Sequence, residues 1–169
     1  MNAEQDKMDF VILAAGDGKR FLSADPSTKR AKQFELLAGK MVLLHSLDTI
    51  SQWPYCGQIV IVLPKDGVEI DILNSLKTAA SAASVSVSFT SGGASRSAST
   101  FNGLKTLSAL IPNKLVAIHD AARPSVPHQV LNELLSACTG GADGAIPSLP
   151  ITDTVKHVDK TNIVLHTVD

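Results

Sequence analysis

Segments typical of buried strands alternate with segments of helical spacing along most of this 169-residue chain. We predict strands at Phe10–Ala14, Gln58–Leu63, Val85–Thr90, Leu115–His119 and Gly144–Pro147. We predict helices at Met41–Ser51, Ile70–Ala83, Ser97–Leu110 and Pro127–Thr139. The second strand is a continuous β-branched run, which is typical of a strand buried on both faces. The alternation therefore predicts a three-layer α/β fold, with helices on both faces of a mostly parallel sheet.

The composition is that of a globular protein and argues against several classes of function. Hydrophobic residues make up 44% of the chain and charged residues 18%, so disorder is excluded. A formal net charge of −1 argues against a nucleic-acid-binding surface, and no apolar run is long enough to span a membrane. Cys56 and Cys138 lie far apart, which predicts reduced thiols, and the polar N-terminus is not a signal peptide. We expect a cytoplasmic protein; a plastid location stays open for a plant-type source, although no transit peptide is seen.

The first predicted strand runs into a loop that combines glycines with cations. Positions 11–21 read VILAAGDGKRF, and five of the fifteen lysines and arginines fall between positions 19 and 32. Glycines let backbone N–H groups approach phosphate oxygens, and the cations balance the phosphate charge. The spacing is not the three-glycine dinucleotide motif, because Phe21 takes the place of the third glycine, and it is not a Walker loop. The loop predicts a phosphate site; an ordinary turn with solvated cations is the alternative.

Three further polar clusters follow predicted strands, where open α/β sheets bind their ligands. They are SGGASRSAS at Ser91–Ser99, HDAARP at His119–Pro124 and PITDTVK at Pro150–Lys156. Arg96 offers a planar fork to an anion, and Asp120 is an oxygen ligand of the kind that Mg²⁺ prefers. The alternatives are a flexible turn with a helix cap, a structural histidine–aspartate pair and the edge of a hairpin.

Residues 150–169 predict a β-arm that projects from the sheet. Two extended runs, Pro150–His157 and Asn162–Val168, flank a polar turn, and no helical pattern follows them. We therefore divide the chain into a nucleotide-binding domain at 1–149 and an arm at 150–169 that is incomplete at its C-terminus. Exposed strand edges invite association, so we expect both a partner for the arm and a truncated chain.

Taken together, these motifs resemble one enzyme family. LAAGDGKRF, AKQF at Ala31–Phe34, SGGASRSAS, VAIHDAARP and PITDTVK look like the motifs of 2-C-methyl-D-erythritol 4-phosphate cytidylyltransferases of the non-mevalonate isoprenoid pathway. The resemblance covers about Phe10 to Asp169, and its specific parts are HDAARP and PxxDTxK. It implies a Rossmann-like nucleotidyltransferase sheet with a projecting β-arm. It also implies cytidylyl transfer from CTP to the polyol phosphate with release of pyrophosphate, the use of Mg²⁺, and a homodimer whose arms cross.

The same resemblance implies roles for individual residues. Arg20 and Lys32 would be catalytic, by stabilising charge on the triphosphate. The nucleotide would be bound by Ala14, Ala15, Gly16, Gly18, Gly92, Gly93, Arg96 and Ser99. Asp120 would hold the metal, and Arg123 and Thr154 would face methylerythritol phosphate. The attacking phosphate oxygen is already anionic, so the reaction requires alignment and charge cancellation and needs no general base.

Two departures from the family pattern affect these expectations. Ala31 replaces a proline, which predicts a looser loop around Lys32 because proline would fix φ. Family chains are longer, which predicts that this one binds CTP with little transfer. The alternatives are a ribitol-5-phosphate cytidylyltransferase, a non-catalytic CTP-binding fragment and a nicotinamide-binding oxidoreductase. The last is disfavoured by the missing third glycine and by the lack of an acidic residue about twenty positions past the loop at the end of a second strand.

Overall fold

A four-stranded parallel sheet forms the centre of the computed structural model, which describes residues 7–17, 30–107 and 114–168. The strands of the described part are β1 (Met8–Leu13), β2 (Leu36–Leu37), β3 (Lys40–Met41), β4 (Cys56–Leu63), β5 (Val87–Ser91), β6 (Val116–Asp120), β7 (Lys156–Val158) and β8 (Val164–Thr167). The helices of the described part are α1 (Val42–Ser51), α2 (Ile70–Ala82), α3 (Arg96–Thr106) and α4 (His128–Thr139), with a 3₁₀ helix at Lys32–Phe34.

Helices cover both faces of this sheet. On one face, Phe10, Ile12 and Ile61 pack into a cluster that includes buried residues of α1, α2 and α4. On the other face, Val11 packs with residues of β4 and with Leu107, which follows α3. Alternate residues of the apolar strand β1 thus supply the two cores, as expected for a strand buried on both faces. The predicted three-layer α/β fold is confirmed.

The strand order opens a crevice between β1 and β6. The sheet runs β5-β4-β1-β6, and all neighbouring pairs are parallel. The chain moves outward from β1 through β4 to β5 and then returns through α3 to the opposite side of β1. Strands that leave in opposite directions separate their following loops, and ligands bind where this happens. This strand order therefore predicts a ligand site at the loops after β1 and β6.

The predicted strand at Gly144–Pro147 is wrong. These residues lie outside any strand, and Ile146 is 86% exposed. The short apolar character of the segment gave it the pattern of a strand, but a strand needs a neighbour for its backbone groups. Gly144 weakens an extended conformation and Pro147 has no N–H to donate, so the segment is poorly suited to pairing.

The arm is present as a β-ribbon, but its strands are shorter than predicted. β7 and β8 pair antiparallel, with His157 opposite His166. Residues 150–155 precede β7 outside any strand, and Pro150 supplies no backbone donor there. The division at 149/150 stays a prediction.

Two smaller elements were not predicted. The strands β2 and β3 form a hairpin, whose turn residues Ala38 and Gly39 have φ of 51° and 80°. The 3₁₀ helix Lys32–Phe34 precedes the hairpin. Both elements are too short to leave a periodic pattern in the sequence.

Cys56 and Cys138 are both free, as predicted, and burial raises the pKa of the Cys56 thiol to about 12. Over residues 7–17, 30–107 and 114–168, no helix has the length and apolar character needed to cross a membrane.

Candidate active site

The loop after β1 is held in one shape by a buried glutamine. The Nε2 group of Gln33 donates to the carbonyl oxygens of Ala14, at 2.8 Å, and Gly16, at 2.7 Å. Gln33 is only 5% exposed, so both of its amide hydrogens are committed to this loop. The two carbonyls on either side of Ala15 are thereby fixed, and the backbone of the predicted phosphate loop is held by a residue of the 3₁₀ helix Lys32–Phe34.

Sequence reasoning missed Gln33. The available signal was its place in AKQF, where an amide stands between an exposed lysine and the buried Phe34. In a short 3₁₀ helix these neighbours point in different directions, so a polar residue beside a buried aromatic residue is itself a candidate for a buried hydrogen bond.

The same 3₁₀ helix presents Lys32 to solvent. Gln33 and Phe34 are buried and anchor the helix, whereas Lys32 is exposed. Lys32 adjoins Gln33, which binds the β1 loop, so the backbone of Lys32 lies next to that loop. Ala31 has φ of −64°, which lies in the range that a proline would impose.

The loop after β5 packs closely against the β1 loop. Gly92 is buried and donates its N–H to the Leu63 carbonyl at 2.7 Å. A Cβ atom on Gly92 would lie 2.5 Å from the Cβ of Ala15 and 3.0 Å from the Oγ of Ser99. Glycine at this position therefore permits the two loops to touch.

Ser95 and Ser99 shape this glycine loop from within. The Oγ of Ser99 accepts from the N–H of Gly93 at 3.1 Å, and Ser99 is buried. Ser95 caps α3 by accepting from the N–H of Ala98, also at 3.1 Å. The structure thus places Ser99 beneath the loop, where it orders the backbone of the predicted nucleotide site.

We expect Gly92→Ala to lower stability by about 1–3 kcal/mol, the usual cost of forcing an extra methyl group into a packed site. Gly16→Ala is the matched control, because a Cβ there meets nothing within 4 Å. Denaturant unfolding of both variants measures the difference. Equal stabilities would show that the loops do not pack as described.

Asp120 joins the β5 and β6 sides of the crevice. Its Oδ1 lies 3.0 Å from Nη2 of Arg96, and its Oδ2 lies 3.3 Å from Nε of Arg123. The N–H of Arg123 also donates to the Asp120 carbonyl at 3.0 Å. Both guanidinium groups are largely exposed, so each arginine can exchange the Asp120 carboxylate for another anion. Three of the residues implied by the resemblance are thus brought together.

His119 fastens the β6 loop to α1. Its Nε2 lies 3.1 Å from the Oγ of Ser46 and 3.1 Å from the carbonyl oxygen of Arg123. Ser46 Oγ also donates to that carbonyl, at 3.1 Å. Burial lowers the pKa of His119, and the bond to the Arg123 carbonyl only partly opposes this effect. Folding therefore favours the neutral form of the His119 imidazole.

We expect stability to fall as the pH is lowered through 6.5, the ordinary pKa of histidine. Below that pH the unfolded chain binds a proton at His119 that the folded protein resists, so protonation favours unfolding. Melting temperatures between pH 7.5 and 5 for the parent and for His119→Gln isolate this contribution. The variant should show the shallower decline, and parallel curves would contradict the assignment.

The remaining predicted site residues are distributed as follows. Ala14 is buried, Ala15 is half-buried and Gly16 is exposed, all in the loop after β1. Arg20 and Gly18 lie outside the described residues. Thr154 is exposed in the segment leading into β7, which belongs to the arm and not to the sheet.

The donor set constrains what metal the crevice could hold. Among the described residues there is no group of three or more histidine, cysteine, aspartate or glutamate side chains that could hold a metal ion. Asp120 is a single oxygen donor at the end of β6. This fits Mg²⁺, which keeps most of its ligands as water and substrate phosphate, and does not fit a metal that needs a full protein cage.

Comparison with known proteins gives a consistent match. The family model IspD, 2-C-methyl-D-erythritol 4-phosphate cytidylyltransferase, matches residues 8–169. The enzyme of that name from Carboxydothermus hydrogenoformans is 32% identical over 166 residues, which cover 97% of this chain and 65% of the relative. A bifunctional enzyme IspD/IspF from Rhizobium rhizogenes is 33% identical, over 94% of this chain and 37% of the relative. The chain therefore spans less than two thirds of each of these relatives.

Solved structures agree with the sequence match. The 4-diphosphocytidyl-2C-methyl-D-erythritol synthase of Anaerococcus prevotii superposes with a TM-score of 0.73 at 26% identity, covering 97% of this chain and 65% of that one. A nucleotidyl transferase from Methanothermobacter has a TM-score of 0.56 at 17% identity. The second likeness concerns the fold alone.

Proposed function

The chain belongs to the 2-C-methyl-D-erythritol 4-phosphate cytidylyltransferase family, and from this premise we propose that the protein transfers the cytidylyl group of CTP to 2-C-methyl-D-erythritol 4-phosphate. The products are 4-diphosphocytidyl-2-C-methyl-D-erythritol and pyrophosphate. The observation that carries the proposal is the convergence of Arg96 and Arg123 on Asp120, beside the β1 loop held by Gln33. This crevice offers cations and ordered backbone on the same side of the sheet, which suits two phosphorylated substrates.

The chemical step needs charge neutralisation more than proton transfer. A phosphate oxygen of methylerythritol phosphate attacks the α-phosphorus of CTP, and the bond from that phosphorus to the α,β-bridging oxygen breaks. The electron pair leaves with pyrophosphate. Lys32 and Arg20 stabilise the negative charge that accumulates on the five-coordinate phosphorus and the leaving group. The nucleophile carries no proton that must be removed.

The loops divide the two substrates between them. Backbone groups of the β1 loop and of the glycine loop after β5 bind the nucleotide, and Arg96 contacts its anionic part. This nucleotide set consists of Ala14, Ala15, Gly16, Gly18, Gly92, Gly93, Arg96 and Ser99. Arg123 and Thr154 face methylerythritol phosphate. This division is supported by the different loops of the two arginines: Arg96 begins α3 after β5, whereas Arg123 lies in the loop after β6.

Asp120 is the residue that would hold Mg²⁺. When bound, the metal neutralises and orients the triphosphate. The carboxylate of Asp120 pairs with the exposed guanidinium groups of Arg96 and Arg123. If Asp120 bound the metal instead, these two groups could turn to phosphate oxygens.

We also propose a homodimer formed through the β-arm. The arm and the segment leading to it carry exposed apolar side chains, including Leu149 at 90% and Ile151 at 75% exposure. Burying such side chains favours association, and paired strands with free edges accept a second copy of themselves. We further propose a cytoplasmic location, which is supported by the bacterial origin of the relatives.

Pyrophosphate release tests the proposed function. The whole protein is incubated with CTP and Mg²⁺, and methylerythritol phosphate or ribitol 5-phosphate is added separately. We expect release with the first polyol phosphate only. Equal or faster release with ribitol 5-phosphate would reassign the substrate, and no release with either would contradict cytidylyl transfer.

A further inference from the structure

We propose that Arg30 is a positioning residue, which holds the backbone that presents Lys32 by binding the start of α2. The inference rests on the proposed function, because it takes Lys32 as the group that acts on the triphosphate. It adds a residue and two partners that lie outside the crevice.

Arg30 makes a fork between two carboxylates. Its Nε and Nη2 donate to Oε2 of Glu69 at 3.1 and 2.6 Å, and Nη2 also donates to Oδ2 of Asp71 at 2.7 Å. Glu69 is the N-cap residue of α2 and Asp71 lies in its first turn. The guanidinium therefore ties the chain just before the 3₁₀ helix to a helix about 40 residues further along.

The other end of this short segment is fixed independently. Gln33 is buried and binds the carbonyls of Ala14 and Gly16, as described above. Lys32 therefore lies between a residue anchored to α2 and a residue anchored to the β1 loop. Only Ala31 separates it from Arg30, and Ala31 has φ of −64° and ψ of 141°. That extended conformation is open to many residues, and an alanine does not enforce it.

We infer that Arg30 restrains the backbone at Ala31, as a proline at position 31 would do. A proline ring fixes φ near the value that Ala31 adopts, whereas the side chain of Arg30 restrains the same backbone from outside. An exposed ion pair contributes little to global stability. It can still determine where a neighbouring ammonium group lies, and a small displacement of a charge from the reacting phosphate is costly to the rate.

A double-mutant cycle in the whole protein tests this role. We expect Arg30→Ala, and the paired Glu69→Gln and Asp71→Asn substitutions, each to lower kcat about tenfold with little change in the Kd for CTP. Arg30→Ala should have little further effect in a Lys32→Ala background, because both changes act through the same ammonium group. Ala31→Pro should restore most of kcat to Arg30→Ala, since the ring supplies the missing restraint.

Lys40→Ala is the matched control, because it breaks an ion pair with Asp48 in the next element. Its kcat should stay at the parent value. Losses of kcat from Arg30→Ala and Lys32→Ala that simply multiply, or no rescue by Ala31→Pro, would overturn the proposed positioning. An unchanged kcat in Lys32→Ala alone would instead remove the catalytic role of Lys32, so the two failures are distinguishable.

Discussion

Replacing Lys32 with alanine is expected to lower kcat by about 10²-fold or more, while the Kd for CTP changes far less. The ammonium group acts on charge that grows during the reaction, so its removal affects the transition state more than the bound nucleotide. Steady-state kinetics of the whole protein and calorimetric titration of CTP separate the two effects.

Lys77→Ala is the control for Lys32→Ala, because Lys77 is an exposed lysine on α2. It should leave both kcat and the Kd for CTP at their parent values. A Lys32→Ala variant with the parent kcat would mean that this lysine is part of a solvated basic surface.

Asp120→Asn is expected to weaken Mg²⁺-dependent CTP binding about tenfold or more while the fold survives. The amide keeps the shape of the carboxylate but lacks its charge, so it is a poorer ligand for a hard cation. It also loses the ion pairs with Arg96 and Arg123, but these pairs are exposed and contribute little to stability, so the fold is retained. Calorimetric titrations with and without Mg²⁺ measure the change.

Asp143→Asn provides the control for Asp120→Asn, because Asp143 is exposed in the loop after α4. Its CTP affinity should match that of the parent protein at every Mg²⁺ concentration. If the parent itself binds CTP equally well with and without Mg²⁺, Asp120 has no metal to hold and the assignment is wrong.

The sheet was predictable because its central strands have both faces buried. The run at Gln58–Leu63 is apolar at nearly every position, and its partners in β1 follow the same rule. The strand predicted at Gly144–Pro147 was wrong because these residues have no neighbouring strand in the described part of the chain. Its apolar residues satisfy the local pattern, but pairing depends on a neighbouring strand, which a local pattern does not encode.

The site was predictable where its residues follow strands and not where distant residues support them. Asp120 is the last residue of β6 and Gly92 directly follows β5, so the fold alone brings them to the same edge of the sheet. The contact of His119 with Ser46 spans 73 residues, and that of Arg30 with Glu69 spans 39. Such contacts depend on how helices pack onto the sheet, which periodicity does not specify. The contacts of Gln33 are also distant in sequence, because its partners are the carbonyls of Ala14 and Gly16.

Transfer of the α-phosphate is the most direct test of the proposed function. CTP labelled with ³²P at the α-phosphorus is incubated with the whole protein, Mg²⁺ and methylerythritol phosphate, and the products are separated. We predict that the label moves into a cytidine diphosphate ester of methylerythritol and that the pyrophosphate is unlabelled. Label that remains in CTP, or that appears in CMP without the ester, would contradict cytidylyl transfer to this substrate.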